Sequence, residues 1–343
     1  ASLVRSRSQP HYRYTLLAPC RLALDGICKV SWIQMMLGYV IVGHALALLS
    51  GASHPVNSNG CASPEPAPSW VAKFSPSASD CSLDSTVPGP QWLPTTVLRI
   101  PVVVHVVADN ACTNGNVSDA LVHSQIAVLN EDFRALAGTP GGGGVDSKIE
   151  FFLATVDPSG NPTTGIQRYC NTTWYQDTGS YWLSIAWDPT RYVNIYTNSA
   201  GGSRGYVPFL PADPSGAVGQ PQDRVVINWL AFGRVGPVPP YHNGRTVTHE
   251  VGHYLGLFHT YYSGCGMAAA PGCYTTGDRI CDTSPNATSH KGCTAGITSC
   301  GGVPVPIQNY MELTDDACMT GFSAEQVQRM RCTLATYRPD LAQ

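Results

Sequence analysis

The sequence predicts an α+β domain with two unlike halves, and three observations predict it. β-branched, strand-like runs and one amphipathic helix fill residues 95–228. A histidine-bearing helix follows the turn at Asn243-Gly244. Beyond it, residues 260–308 are rich in Gly, Cys and Thr with little periodicity, and a last helix follows. No internal repeat is visible.

The elements are justified in order. Val97–Val107 (VLRIPVVVHVV) is β-branched and reads as a strand. Ser118 can cap a helix whose apolar positions Val122, Ile126, Leu129, Phe133 and Leu136 alternate four and three apart, so they share one face. The run Gly141–Gly144 lacks a following Gly-Lys-Ser/Thr, so it reads as a loop and not as a phosphate cradle. Ile149–Val156 is a second strand, Val193–Tyr196 a short third and Arg224–Asn228 a fourth. Near the end, Ser323 can cap a helix with Gln326, Met330 and Leu334 on one side.

Composition narrows the setting. The 343 residues suffice for one or two domains with a substantial core. Charged residues make up 13%, about half the usual share. Net charge is −3 with no long basic run, which points away from nucleic acid. Thirteen cysteines, seven of them after residue 260, indicate disulfides and an oxidising compartment. Sequons at Asn116, Asn171 and Asn286 agree weakly. At the start, basic residues among 1–31 precede an apolar run from Trp32 to Leu49 and the small residues Ser50, Gly51 and Ala52. That order fits a secretory signal cut after Ala52. A membrane anchor over 32–49 is the rival, disfavoured by its glycines and histidine and by the serine that follows it. The recorded chain begins at Ala1, and a start at Met35 or Met36 is one expectation. Residues 53–94 are rich in Pro and Ser and read as a pro-segment or linker, with the compact domain running from 95 to 343.

The chemistry is concentrated in His249-Glu250-Val251-Gly252-His253-Tyr254-Leu255-Gly256-Leu257-Phe258-His259. Histidines four apart on a helix face one way and can reach one metal ion. Gly256 can take the left-handed conformation that ends a helix, bringing His259 round as a third ligand. Three imidazoles leave the fourth tetrahedral position of Zn²⁺ open for water, and Glu250 stands where its carboxylate can take a proton from that water. Val247, Val251 and Leu255 form the opposite, core-facing stripe. Five fixed positions would recur by chance in such a chain with a probability on the order of 10⁻⁵ to 10⁻⁴. Incidental histidines are thereby set aside.

These residues carry a resemblance. HEVGHYLGLFH, followed by Asn309-Tyr310-Met311, resembles the metzincin zinc metallopeptidases. The segments IPVVVHVV, QIAVLNEDF, GRTVTHEVGH and NYMELTDDACMTGFSAEQVQRM are similar to the pappalysin branch, over roughly residues 95–340. The resemblance implies a two-lobed catalytic domain. Its upper lobe holds a twisted mixed sheet and the zinc helix; its lower lobe is irregular, disulfide-rich and ends in a helix. It implies Met311 in a turn beneath the metal. Many relatives carry a tyrosine two residues later, where this chain has Leu313, so turnover is expected to be slowed.

Further expectations come from the same resemblance. It implies the pairs Cys265–Cys300 and Cys293–Cys318; beside them, Cys273–Cys281 can form a local bridge and Cys112–Cys170 one in the upper lobe. It implies a cysteine segment at Cys61, whose thiolate could occupy the open metal position and hold a zymogen silent, a structural or unpaired cysteine being the plainer alternative. Asp278, Asp282 and Thr283 resemble a Ca²⁺-binding loop, though a solvated acidic loop fits equally. Asp316 resembles a specificity-pocket residue favouring Lys or Arg after the scissile bond, with a turn or cap carboxylate as the alternative. The whole reads as a secreted zinc endopeptidase acting on proteins or peptides. The other reading is a weak or inactive secreted zinc-binding or matrix protein of the same fold. Nothing in the sequence fixes an assembly state.

Overall fold

The computed structural model describes residues 60–65, 81–213, 215–237 and 239–343. The signal or anchor expected over 1–52 lies outside the described residues, as does much of 53–94. Among the described residues no helix is long and apolar enough to cross a membrane.

The architecture is α+β. In chain order come β1 (Leu98–Ala108), α1 (Asp119–Phe133), β2 (Ile149–Leu153), β3 (Ile166–Cys170), the short α2 (Thr172–Tyr175) and α3 (Trp182–Ile185), and β4 (Val193–Asn198). The edge strand β5 (Gly205–Tyr206), β6 (Val225–Asn228) and the histidine helix α4 (Arg245–Tyr254) follow. A two-stranded ribbon, β7 (Thr298–Ser299) and β8 (Val303–Pro304), and the closing α5 (Ala324–Tyr337) complete it.

β1 is the spine of the sheet. It pairs in parallel with β2 along its first half and β3 along its second, while β4 lies on its other side. β6 continues in parallel beyond β4, and β5 closes the edge antiparallel to β6. Covered on both faces, β1 is buried from Ile100 onward, which explains its nearly unbroken apolar run. β3 and β5 are absent from the sequence reading. β3 has an amphipathic mix with no fully buried residue, and β5 is only two residues long.

Helix α1 begins as expected, with Ser118 Oγ accepting from Leu121 N–H. It ends at Phe133 and leaves Leu136 exposed beyond it. Its buried residues Val122, Leu129 and Phe133 join β1, β2 and α4 in one core. α5 starts with a capping box between Ser323 and Gln326.

Five disulfides staple the described residues. Four are Cys112–Cys170, Cys265–Cys300, Cys273–Cys281 and Cys293–Cys318. The fifth, Cys81–Cys332, joins the upstream segment to α5 and was not anticipated. Ser82 and Ser85 carbonyls and the Thr86 hydroxyl also accept from the buried Arg329 guanidinium of α5. The packed structure therefore reaches back to Cys81, earlier than the boundary expected at residue 95. One sequon also needs correction. Asn286 is fully buried, and its amide donates to Glu312 Oε2 at 2.6 Å, so a glycan there is incompatible with this fold. Asn116 is exposed.

Arg338, just after α5, braces the end of α4. Its guanidinium grips Asp223 through both nitrogens at 2.5 and 2.9 Å, donates to Tyr254 O and lies 3.5 Å over the Tyr254 ring. Both partners are buried. Asp223→Ala would strand a buried cation and is expected to cost about 3–5 kcal/mol. Chemical denaturation with disulfides intact measures this; a loss below about 1 kcal/mol would mean that the pair does not brace the helix.

Candidate active site

Helix α4 is buried along all ten residues, so every polar group on it needs a partner. Gly244, at φ +80, precedes the helix and offers no side-chain cap. Asp316 supplies one instead: its Oδ2 accepts from Asn243 N–H at 2.8 Å and Arg245 N–H at 3.3 Å. From α1, Asp132 pairs with Arg245 at 3.2 Å and accepts from Thr248 at 2.6 Å. At the other end Gly256 is left-handed at φ +90, with Gly256 N–H bonded to His253 O and Leu257 N–H to Gly252 O. This Schellman turn redirects the chain toward His259. A side chain at Gly256 would also collide with Thr333 of α5.

The turn and the helix bring three imidazoles together. His253 Nε2 lies 3.1 Å from Nε2 of His249 and 3.1 Å from Nε2 of His259. Each ring is oriented from behind: His249 Nδ1 donates to Tyr310 O at 2.7 Å, and His253 Nδ1 to Leu257 O at 2.8 Å. His259 Nδ1 lies 2.9 Å from Glu65 Oε1. A carbonyl can only accept, so the proton of His249 and of His253 sits on Nδ1 and the Nε2 lone pair is bare. Burial, followed by the neighbouring imidazoles, lowers the pKa of both well below the ordinary range. Lone pairs converging at this spacing repel unless a cation lies among them. Zn–N bonds of about 2.0–2.1 Å in a tetrahedron separate the nitrogens by about 3.3 Å, close to what is seen. The donor set fits zinc.

Met311 lies below this group. It is fully buried, and a Cβ on Gly252 would stand 2.5 Å from its sulfur, so the helix can rest on it only through glycine. Asn309 holds the turn by accepting from Met311 N–H, while its amide exchanges two bonds with Gln326 of the α5 capping box. Tyr261, not singled out from the sequence, stacks on His259 with centroids 4.7 Å apart.

Residues 60–65 cross the site along the sheet edge. Arg204 N–H donates to Gly60 O and Ala62 N–H to Gly205 O, and Cys61 bridges Gly205 in parallel register. Cys61 Sγ and the three imidazole donors all lie within 4.8 Å of one another. Cys61 is the one free cysteine among the described residues, and its Sγ is 3.5 Å from Glu250 Oε2. Ser63 Oγ donates to that same oxygen at 2.8 Å and accepts from Val207 N–H. Burial pushes the Glu250 carboxyl up to about 7, against the pull of Ser63, Cys61 and Arg204. Ser63 and Glu65 escaped the sequence reading because single polar residues in a Pro/Ser-rich stretch carry no periodic signal.

The remaining candidates fall in two places. Asp316 and Leu313 line a pocket beside His249 and Glu250, together with Arg204 and Met319. Asp278 and Thr283 are buried in a separate loop, where Asp278 accepts from the Thr283 hydroxyl and Ile280 N–H. Asp282 instead accepts from Glu325 N–H at the start of α5.

Known proteins resemble this chain in sequence and in fold. The peptidase family model described as pregnancy-associated plasma protein-A matches residues 177–335. An extracellular metalloprotease of Pyricularia oryzae is 30% identical over 81% of this chain and 89% of its own length. One from Colletotrichum graminicola is 30% identical over 89% of this chain and 99% of its own. Among solved structures, Tannerella forsythia promirolysin matches at 34% identity and TM-score 0.61, covering 76% of this chain and 88% of that one. Mature mirolysin with a cleaved peptide matches at 35% and 0.59, covering 73% and 100%. The chain thus belongs to the pappalysin branch of the metzincins and is an extracellular zinc metalloendopeptidase.

Proposed function

We propose that His249, His253 and His259 hold the catalytic zinc, that Glu250 handles the proton, and that residues 61–65 keep the uncut chain silent. The observation that carries this reading is the convergence of three bare Nε2 atoms 3.1 Å apart, two of them with Nδ1 anchored on a backbone carbonyl. Zinc bound there supplies Lewis acidity, which polarises a substrate carbonyl and eases deprotonation of water.

The chain's own groups do the rest. Glu250 takes the proton of the attacking water and passes it to the departing amine nitrogen as the C–N bond breaks. Next to His249 on the buried helix α4, Glu250 is held where its carboxylate can serve both halves of that transfer. Arg204 N–H and Gly205 O, engaged by residues 60 and 62, become free edge groups for a substrate main chain once that segment leaves. Until then Cys61 would serve the metal as a fourth donor beside the three imidazoles, and Ser63 holds one carboxylate oxygen of Glu250 in a hydrogen bond. The expected residues 53–94 pro-segment thereby gains a physical role. Calcium enters only as a structural ion at Asp278, Asp282 and Thr283. Burial pushes the Asp278 carboxyl to about 7, and a cation beside it would favour its charged form.

Glu250→Ala is expected to lower peptide cleavage by about 10²–10⁴-fold while zinc content stays equimolar. Equal cleavage by the variant would overturn the mechanism. The uncut Cys61→Ala chain should cleave peptides that the uncut wild type leaves intact, with Ser63→Ala giving a smaller release. Unchanged latency in Cys61→Ala would remove the switch. If the Asp278 loop takes calcium, added Ca²⁺ should raise the melting temperature of the wild type but not of Asp278→Asn. A calcium-independent melt would leave the loop without an ion.

A further inference from the structure

We infer that Arg204 sets the substrate preference of the pocket beside His249 and Glu250, selecting a carboxylate-bearing side chain next to the scissile bond. This rests on the peptidase reading above and names its substrate class.

Four charged residues besides Glu250 line that pocket: Arg204, Arg245, Glu312 and Asp316. Three are engaged by the fold. Glu312 accepts from Thr260 and Asn286 on one oxygen, and from His290 N–H and Leu313 N–H on the other. Arg245 donates to Asn243 O and pairs with Asp132. Asp316 Oδ2 holds the two backbone N–H groups at the start of α4. The Arg204 guanidinium, in contrast, has no hydrogen-bond acceptor among the described residues.

Arg204 is nonetheless fixed in place. Its backbone N–H and carbonyl bond to Gly60 O and Asn228 N–H, so its Cα is pinned at the sheet edge. Its guanidinium lies 3.6 Å from the centroid of the Tyr241 ring. Stacking on an aromatic face uses the plane of the guanidinium and leaves its N–H edge for an in-plane partner, the fork that matches a carboxylate. In the uncut chain Gly60 covers this group so closely that a Cβ there would collide with it, and Gly60 adopts φ +138. Withdrawal of residues 60–65 therefore uncovers, at the edge of the pocket, a preset guanidinium with no hydrogen-bond acceptor among the described residues.

The opposite preference, for Lys or Arg through Asp316, meets an electrostatic obstacle. Burial pushes the Asp316 carboxyl up, and both Arg245 and Arg204 already act on it as countercharges. A basic substrate side chain would add a third cation beside one half-engaged carboxylate. An acidic one meets the one charged group of the pocket whose side chain has no hydrogen-bond acceptor among the described residues.

The test is cleavage of matched peptides by the activated, secreted protein, with Glu/Gln and Lys/Met pairs at the positions flanking the cut. The wild type should favour Glu over Gln by about tenfold or more in kcat/KM, as a charge-assisted hydrogen bond allows. Arg204→Gln should bring that ratio close to one, Arg204→Lys should keep part of it, and Arg204→Glu should turn the preference toward Lys. Zinc content and melting temperature, measured on each variant, separate a pocket effect from misfolding. A wild type that prefers Lys, or a Glu/Gln ratio unchanged in a folded Arg204→Gln, overturns the inference and leaves the peptidase reading intact. No cleavage of any peptide by the wild type would overturn both.

Discussion

The complete burial of helix α4 is the constraint on which the rest of the structure depends. An apolar helix could be buried cheaply, but this one carries Arg245, Thr248, His249, Glu250 and His253. A buried polar group without a partner costs on the order of 1–3 kcal/mol, and a charged one more. The surrounding elements supply those partners. Asp132 comes from α1, Asp316 from the segment after Met311, and the carbonyls of Tyr310 and Leu257 orient two imidazoles. The disulfide Cys293–Cys318 ends two residues after Asp316, so the irregular region that supplies the cap is itself covalently held. The loop-rich half is thus an outer frame for the helix, with staples where a core is lacking.

A second constraint is the open sheet edge. β5 is two residues long, which limits the unpaired backbone offered to chance partners. What it offers is taken by residues 60–62. The same segment carries Cys61 to the imidazoles, Ser63 to Glu250 and Glu65 to His259. Edge pairing fixes the register of the strand, and register decides which side chains reach the site. Main-chain bonds therefore place Cys61, Ser63 and Glu65, and Gly60, at φ +138, lies where an added Cβ would meet the Arg204 guanidinium.

What was legible in the sequence follows from periodicity and fixed spacing. The histidine helix, α1 and α5 were legible because apolar residues recur on one face and Ser118 and Ser323 stand at the caps. β1 was legible because burial on both faces demands an apolar run. Two disulfides, Cys265–Cys300 and Cys293–Cys318, and Met311 came from family resemblance, while Cys273–Cys281, eight residues apart, is a bridge short enough to expect locally. The residues that escaped act across long sequence distances. Ser63 meets Glu250 across 187 positions, and Cys81 meets Cys332 across 251. Arg204 was missed for a related reason: an arginine without a carboxylate partner has no pattern, and only the fold reveals that its neighbours are already engaged. Asn286 shows the converse, a local motif whose accessibility the fold removes.

The substitution at Leu313 can now be weighed against its neighbours. Leu313 is buried on the pocket wall and contributes only apolar surface there. Tyr310, on the other side of Met311, does not supply the missing hydroxyl. Its ring is fully buried 4.8 Å from Phe322, and it serves the site through its carbonyl, which orients His249. On the proposed mechanism, transition-state stabilisation therefore falls on the metal position and on the preset geometry of Glu250. Preorganised groups act without reorganising as charge develops, and burial strengthens them. On the proposed mechanism a buried α4, with His249 and His253 oriented by backbone carbonyls, is what would make a site lacking that hydroxyl workable, which returns the burden of catalysis to the helix packing.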